Sequence, residues 1–234
     1  MRIVIFSDIH GNQYSYREFV KQLEKLEYDY VIFCGDVFGY YYGQLEILES
    51  MSRLKKLIWL KGNHDQYAVN IFRGKESPDK YVENYGHSYK TIVEKCTIKI
   101  MDCIDSLPDY KVLMLQDKKI GIFHGTAEDY LNGRLYPKDV KALEAINGDF
   151  DYIILGHTHF KLECSVGNTR IINPGSLGQP RDGKGFGFYL LDLDKEEGKF
   201  ININVDTREL YNEIDNYDRE LVKLKEVLER REIY

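Results

Sequence analysis

Short polar motifs that could bind metal ions follow several apolar stretches of this 234-residue chain. Five of the six histidines lie in such motifs, each directly after a run of strand length: Asp8-Ile9-His10, Gly62-Asn63-His64-Asp65, His124-Gly125 and Gly156-His157-Thr158-His159. A further motif, Gly35-Asp36, supplies a carboxylate at the same position after its own apolar run. Imidazole, amide and carboxylate groups bind divalent transition metals, and a set of this size suits two cations. The seven candidate ligands are Asp8, His10, Asp36, Asn63, His124, His157 and His159.

The elements that must position the first four of these ligands form a repeating pattern. Apolar runs of strand length occur at 2–6, 30–34 and 57–60, and the segments between them have helical spacing of apolar residues. Strands joined by helical crossovers are parallel, so the residues that follow them emerge at one edge of the sheet. Ligand sites of α/β proteins usually lie at that edge.

The second half of the chain repeats this order of strand and ligand. Strands are predicted at 111–115 and 119–123, the second ending at His124, and at 152–155, which leads into His157. A helix is predicted from Pro137 to about Ile146. The remaining predicted strands are 161–166, 170–173, 185–193 and 199–205, the last two joined by a turn at 195–198.

Two further segments complete the prediction of the fold. The polar, tyrosine-rich segment 66–108, with a helix near 88–105, is interpreted as a cap or flanking segment. A charged helix at 208–232 is expected to pack by one apolar stripe, with homo-oligomerisation through it as the alternative. The strands are too many for one parallel sheet. We therefore predict an α/β fold, a four-layer αββα sandwich of two mixed β-sheets flanked by helices, as a single domain over 1–234.

The composition limits the class of function. A net charge of −6 and a pI near 5.6 argue against a protein that binds a long nucleic acid through a broad basic face. The four cysteines form no CxxC pair, and Cys34 lies in an apolar run, so free thiols are expected. The first predicted strand begins at residue 2, which leaves no room for a signal peptide. No apolar run approaches the roughly 18 residues of a membrane span. These features predict a cytoplasmic protein without a membrane partner.

The candidate ligands suit two-metal hydrolysis of a phosphoester. Such a site needs a carboxylate that bridges both ions, and Asp36 is the natural candidate. The ligand shell of one ion would be completed by Asp8, His10 and one of the two histidines His157 and His159. The shell of the second ion would be completed by Asn63, His124 and the other of these two histidines. The metals expected from these ligand types are Mn, Fe, Ni, Co or Zn.

The ordered motifs resemble the calcineurin-like metallophosphoesterase superfamily, specifically its small bacterial and archaeal phosphodiesterase branch. The resemblance covers essentially the whole chain and includes Asn173-Pro174-Gly175-Ser176 and Pro180-Arg181. It implies that His159 joins Asp8, His10 and Asp36 on one metal, and that His157 joins Asp36, Asn63 and His124 on the other. It also implies that His64 binds no metal and acts on the phosphate, while a metal-bridging hydroxide attacks phosphorus in line. Asn63 and Arg181 are expected to contact the phosphate.

The chain departs from protein phosphatases of the wider superfamily at two positions. Those enzymes have a second aspartate and an arginine where this chain has Gly39 and Tyr40. The group that orients His64 is therefore open, with Asp65 a candidate, and the missing arginine argues against phosphoprotein monoesters. Arg181 is expected to compensate by binding a phosphate oxygen, with a surface arginine after a proline turn as the alternative. Tyr40, Tyr41 and Tyr42 are interpreted as amphipathic surface, with stacking on a nucleobase as the alternative, and His87 as a structural or surface histidine.

Three functions follow from this pattern. A metal-dependent phosphodiesterase that acts on a small phosphoester is the leading interpretation. A phosphomonoesterase with a small substrate is the alternative within enzymes. The rival from another class is a non-catalytic metal-binding interaction scaffold, because the same fold serves as the retromer scaffold subunit. Scaffolds of this kind tend to have altered site residues, whereas every ligand position is retained here.

Overall fold

The computed structural model describes residues 1–139 and 149–230. The strands are β1 Arg2–Phe6, β2 Tyr30–Phe33, β3 Leu57–Trp59, β4 Tyr110–Leu115, β5 Lys118–Phe123, β6 Tyr152–Ile154, β7 Lys161–Val166, β8 Thr169–Pro174, β9 Gly187–Asp192 and β10 Glu197–Asn202. The helices are α1 Gln13–Leu23, α2 Gln44–Met51, α3 Asn63–Phe72, α4 Asp79–Tyr85, a 3-10 helix His87–Tyr89, α5 Lys90–Lys95, α6 Ile98–Asp105, α7 Arg208–Tyr217 and α8 Lys223–Glu226. Within the described ranges, no helix has the length and apolar composition needed to cross a bilayer.

The strands form two mixed five-stranded sheets. The first has the order β10-β9-β1-β2-β3, in which β1, β2 and β3 are parallel and β9 runs antiparallel to both neighbours. The second has the order β4-β5-β6-β8-β7, in which β5, β6 and β8 are parallel. The predicted fold of two mixed sheets flanked by helices is confirmed.

Alternate residues of β1 separate two hydrophobic cores. Ile3 and Ile5 lie in a buried cluster with Ile120 and Ile154 of the second sheet, so this cluster joins the sheets face to face. Val4 and Phe6 point the other way, into a cluster that contains residues of α1, α2 and α3. The two-residue period of a strand thus places one face against a sheet and the other against helices.

The predicted strands match the observed ones, with ends that differ by no more than three residues. The turn predicted at 195–198 lies at 193–196, and Gly198 belongs to β10. The predicted helix from Pro137 to Ile146 falls largely on residues outside the described ranges. The helix predicted near 88–105 is wrong as a single element, because Cys96 is extended and Thr97 caps the start of α6 with its side chain.

The single helix predicted for 208–232 is also wrong within the described residues. α7 ends at Tyr217, and the chain becomes helical again only at Lys223. Asp218 interrupts it, since its buried carboxylate accepts hydrogen bonds from the backbone N–H of His87 and the hydroxyl of Tyr42. These bonds fasten the C-terminal segment to the segment 66–108, whose helices share the core of the first sheet.

Candidate metal centre

The motif residues converge where the two sheets meet. Asp8 and His10 follow β1, Asp36 follows β2, and Asn63 begins α3 just after β3, so parallel pairing brings them to one edge. The second sheet adds residues after β5 and β6. Potential ligand atoms lie within 4.8 Å of one another in three groups: Asp8, His10 and His159; His10, Asp36 and His64; and Asp36, His124 and His157. The sequence-predicted ligands are therefore neighbours in space.

An unusual backbone conformation turns these side chains inward. Five of the predicted ligands have φ between 51° and 67°: Asp8, His10, Asp36, His157 and His159. The left-handed region costs a non-glycine residue roughly 1–2 kcal/mol, and strained residues of this kind often cluster at functional sites. Hydrogen bonds hold the loops in this state, such as those from the N–H of Asp8 to the carbonyl of Gly35 (3.0 Å) and of Thr158 to that of Gly156 (2.7 Å).

Backbone carbonyls fix the orientation of three of the imidazoles. Nδ1 lies at hydrogen-bond distance from a carbonyl oxygen in each case: His10 from Phe38 (2.7 Å), His159 from Gln179 (2.8 Å) and His124 from Cys34 (2.8 Å). A neutral imidazole whose Nδ1–H donates to a carbonyl has a lone pair on Nε2. The Nε2 atoms of His10 and His159 are only 2.9 Å apart. Two lone pairs at this distance repel each other unless they share a cation.

Two buried carboxylate oxygens lack a hydrogen-bond donor, as expected for ligands of a cation. Within residues 1–139 and 149–230, Asp8 Oδ1 and Asp36 Oδ2 have no hydrogen-bond partner, although both residues are buried. Asp8 Oδ1 is 3.3 Å from His159 Nε2, and Asp36 Oδ2 is 3.3 Å from His124 Nε2 and 3.8 Å from His10 Nε2. Unpaired carboxylate oxygens that lie 3.3–3.8 Å from imidazole nitrogens fit divalent metal ions. Asp36 adjoins both groups of histidines.

The charge states of the histidines suit most of these ligand roles. Burial lowers the pKa of His157 to about 4 and of His159 to about 3, so both imidazoles are neutral at neutral pH. Burial also lowers the pKa of His124, but the Asp36 carboxylate outweighs burial and raises it to about 9. A metal ion beside His124 would compete with that proton. Asn63 Oδ1 lies 3.0 Å from both His124 Nε2 and His157 Nδ1.

Asp65 holds the loops of the centre and does not orient His64. Its Oδ1 accepts hydrogen bonds from the N–H groups of Val37 and Phe38, and its Oδ2 from those of Asp36 and Gly62. The carboxylate thus ties the loop that carries Asp36 to the first turn of α3. Its role in this structure is to fix the backbone of two motifs.

His64 is buried and surrounded by tyrosines. Its Nδ1 lies 2.6 Å from the hydroxyl of Tyr89, and its ring centroid lies 5.2 Å from that of Tyr40 and 4.6 Å from that of Tyr85. Burial lowers the pKa of His64 well below its ordinary value, which keeps the imidazole neutral. Tyr85 and Tyr89 have no motif around them in the sequence, so sequence reasoning missed both.

Arg181 lies beside this cluster. Its Nη2 donates to the hydroxyl of Tyr40 (2.7 Å) and to Gln179 Oε1 (2.8 Å), and its guanidinium carbon is 5.6 Å from the centroid of the Tyr40 ring. On the other side of the centre, Arg134 Nε is 3.2 Å from His157 Nε2. Arg134 was also missed, because it stands in no recognisable motif.

Four smaller expectations have clear outcomes. The interpretation of Tyr40 and Tyr41 as surface is wrong, because both rings are buried (8% and 0% exposed). The nucleobase-stacking alternative also fails for Tyr41, since its ring is fully enclosed. His87 is a half-exposed histidine bonded to Asp218, as expected for a structural residue. Free cysteines and a buried Cys34 are confirmed.

Comparison with known proteins identifies the family. The model of the calcineurin-like phosphoesterase superfamily domain matches residues 1–196. The chain belongs to this superfamily. An uncharacterised protein of Methanocaldococcus jannaschii is 26% identical over 91% of each chain.

Two solved structures share the fold of this calcineurin-like phosphoesterase. A hypothetical protein from Pyrococcus horikoshii has a TM-score of 0.81 and 18% identity, covering 95% of this chain and 96% of its own. A metallophosphoesterase from Sphaerobacter thermophilus has a TM-score of 0.77 and 22% identity, covering 97% and 99%. Membership implies a hydrolase of phosphoesters that uses divalent metal ions.

Proposed function

We propose that this calcineurin-like phosphoesterase is a phosphodiesterase that hydrolyses a small substrate at a two-metal centre. The observation that carries the proposal is the pair of buried carboxylate oxygens, Asp8 Oδ1 and Asp36 Oδ2, which have no hydrogen-bond donor among the described residues and lie 3.3 Å from imidazole nitrogens. Divalent ions bound there would supply a water-derived nucleophile and stabilise charge on the phosphate oxygens.

The proposed ligand sets follow the grouping of the side chains. Asp8, His10 and His159 would hold one ion and His124, His157 and Asn63 the other, with Asp36 shared between them. The distances support this division, because Asp36 Oδ2 lies 3.3 Å from His124 Nε2 and 3.8 Å from His10 Nε2.

His64 is proposed as the catalytic residue. Its Nδ1 is engaged by Tyr89, which leaves Nε2 for the substrate. A neutral Nε2–H can donate to a phosphate oxygen or to the departing oxygen in the transition state. Arg181 and Asn63 are proposed to contact the phosphate, Arg181 through those guanidinium N–H groups that Tyr40 and Gln179 do not occupy.

The preference for a diester rests on charge and space. Tyr40 stands where protein phosphatases of the wider superfamily have an arginine that could pair with a dianionic monoester. A diester carries one negative charge and a second substituent that needs room. A cleft of about 210 Å³ beside Tyr40 and Tyr85 offers that room, and Arg181 and Lys223 also line it.

The direct test measures hydrolysis of bis(para-nitrophenyl) phosphate with Mn²⁺ and with a chelator. We expect turnover that depends on metal and exceeds turnover of the para-nitrophenyl monoester on the same preparation. A higher rate on the monoester would shift the assignment to a phosphomonoesterase. Bound metal without hydrolysis of either compound, across several divalent ions, would favour the scaffold.

The role of His64 is tested by His64→Ala with Met114→Ala as the control. We expect His64→Ala to lower kcat by about 100-fold or more while both metals stay bound. Met114 is exposed on the edge strand β4, so Met114→Ala should leave kcat nearly unchanged. Loss of metal from His64→Ala, measured by elemental analysis, would instead place His64 among the ligands, since a ring nitrogen lies within 4.8 Å of ligand atoms of His10 and Asp36.

A further inference from the structure

We propose that Tyr89 is the positioning residue of His64 and takes the place of the carboxylate that this chain lacks at Gly39. The inference rests on the proposed function, because it concerns the residue assigned to catalysis. It answers the question that the sequence left open, namely which group orients His64.

The contact between the two side chains is short and enclosed. The Tyr89 hydroxyl lies 2.6 Å from His64 Nδ1, and the side chains are 0% and 5% exposed. Among the residues that the structure describes, this hydroxyl has no other hydrogen-bond partner. Because a buried phenol needs an acceptor, Tyr89 donates to Nδ1. The lone pair then lies on Nδ1 and the proton of the neutral ring on Nε2.

Gly39 makes this arrangement compatible with the loop after β2. A Cβ at Gly39 would lie 2.6 Å from His64 Nδ1 and 3.3 Å from the Tyr89 hydroxyl, and the residue has φ +103°. The volume of a side chain at position 39 is therefore already filled by the bond between His64 and Tyr89. An aspartate at this position and Tyr89 at its present place exclude each other.

The surroundings hold Tyr89 rigidly. Its ring centroid lies 5.2 Å from that of Tyr81 and 6.1 Å from that of Tyr85. The 3-10 helix that carries Tyr89 begins at His87, whose N–H donates to the buried carboxylate of Asp218. Burial also raises the pKa of Tyr89 well above its ordinary value, so the hydroxyl keeps its proton. A fixed donor beside Nδ1 locks the ring orientation and the tautomer together.

The consequence concerns the bond that breaks during hydrolysis. An imidazole held by a neutral phenol presents Nε2–H, which can donate a hydrogen bond to the departing oxygen and stabilise the negative charge that this oxygen gains as the P–O bond breaks. The ring stays neutral throughout, and water protonates the departed oxygen after it is released. This assistance matters most when the departing group is a poor one.

The test is Tyr89→Phe, with Tyr81→Phe as the matched control. Tyr81 lies in the same tyrosine cluster, but its hydroxyl bonds to Glu76 and does not contact His64. We expect Tyr89→Phe to lower kcat roughly 10- to 100-fold, with KM and bound metal within about twofold of wild type. The loss should be larger for a phenyl diester than for a para-nitrophenyl diester. A merely structural defect would reduce both substrates equally.

A double variant separates this inference from the proposed function. In the His64→Ala background, Tyr89→Phe should change kcat by less than about twofold, because the residue it positions is gone. If wild type turns over diesters and His64→Ala does not, but Tyr89→Phe matches wild type, the inference about Tyr89 is wrong and the proposed function stands. If wild type shows no metal-dependent turnover, the proposed function itself fails.

Discussion

The substitution Gly39→Ala probes how closely the loop after β2 approaches His64. The added methyl group would lie 2.6 Å from His64 Nδ1 and 3.1 Å from His10 Nδ1. Both imidazoles are enclosed, so neither can move into solvent. One methyl group therefore perturbs the proposed catalytic residue and a proposed metal ligand together.

Two costs add up in this variant. The backbone at φ +103° imposes roughly 1–2 kcal/mol on any residue with a Cβ. Relief of the contact from 2.6 Å to about 3.4 Å requires His64 to move by about 0.8 Å. Since a misplacement near 1 Å costs an enzyme on the order of 100-fold in rate, we expect kcat to fall about 30- to 100-fold. Stability should fall by about 2–3 kcal/mol once the clash is included.

Gly167→Ala measures the cost of backbone strain alone, so comparison with Gly39→Ala gives the effect of the contact with His64. Gly167 has φ +56° with open space around its missing Cβ, so alanine there meets the strain without the clash. Urea denaturation should show a loss of about 1–2 kcal/mol for this control, and diester hydrolysis should be unchanged. A Gly39→Ala protein with wild-type kcat would refute the reasoning, because His64 would then tolerate displacement or the loop would yield freely.

Three further predictions address metal, pH and the phosphate. Chelation should lower Tm by about 5–10 °C, because a metal present at 100 times its Kd stabilises the folded state by about 2.7 kcal/mol. Calorimetry should show that added Mn²⁺ returns Tm to its original value. An unchanged Tm after chelation would argue against bound cations. Burial raises the pKa of Glu213, so the stability linked to its protonation is lost as pH rises through that pKa. Glu213→Gln should therefore raise Tm at pH 8 and leave it unchanged near pH 4, and the opposite trend in a pH series would contradict this sign. Arg181→Lys should raise KM about three- to tenfold with kcat within twofold, since lysine cannot form the fork; an unaffected KM would remove Arg181 from the phosphate site.

The framework of the site was predictable because it follows from a simple rule. Apolar runs joined by helical segments give parallel strands, and their ends place Asp8, Asp36 and Asn63 at one edge. The same rule brought His124 and His157 to the facing sheet. Ligand type and position relative to a strand were enough for this part.

The environment of His64 was not predictable from the sequence. Tyr89 reaches it from 25 residues away through a 3-10 helix within a segment whose helical pattern is weak. Tyr40 and Tyr41 were misplaced on the surface because tyrosine has no clear preference for exposure, and the left-handed backbone of Tyr40 could not be anticipated. Asp218 broke the C-terminal helix through bonds to distant partners that no local pattern reveals.

The division of the ligands between two sheets has a consequence for how the molecule opens. Asp8, His10, Asp36 and Asn63 follow strands of the first sheet, while His124, His157 and His159 follow strands of the second. Ions bound between these ligands would link the two sheets. Fluctuations that separate the sheets would then occur only through global unfolding. Amide hydrogen exchange in β1 and β6 should then slow together when metal is added and separate when it is withdrawn, so the centre would set the cooperativity of the fold.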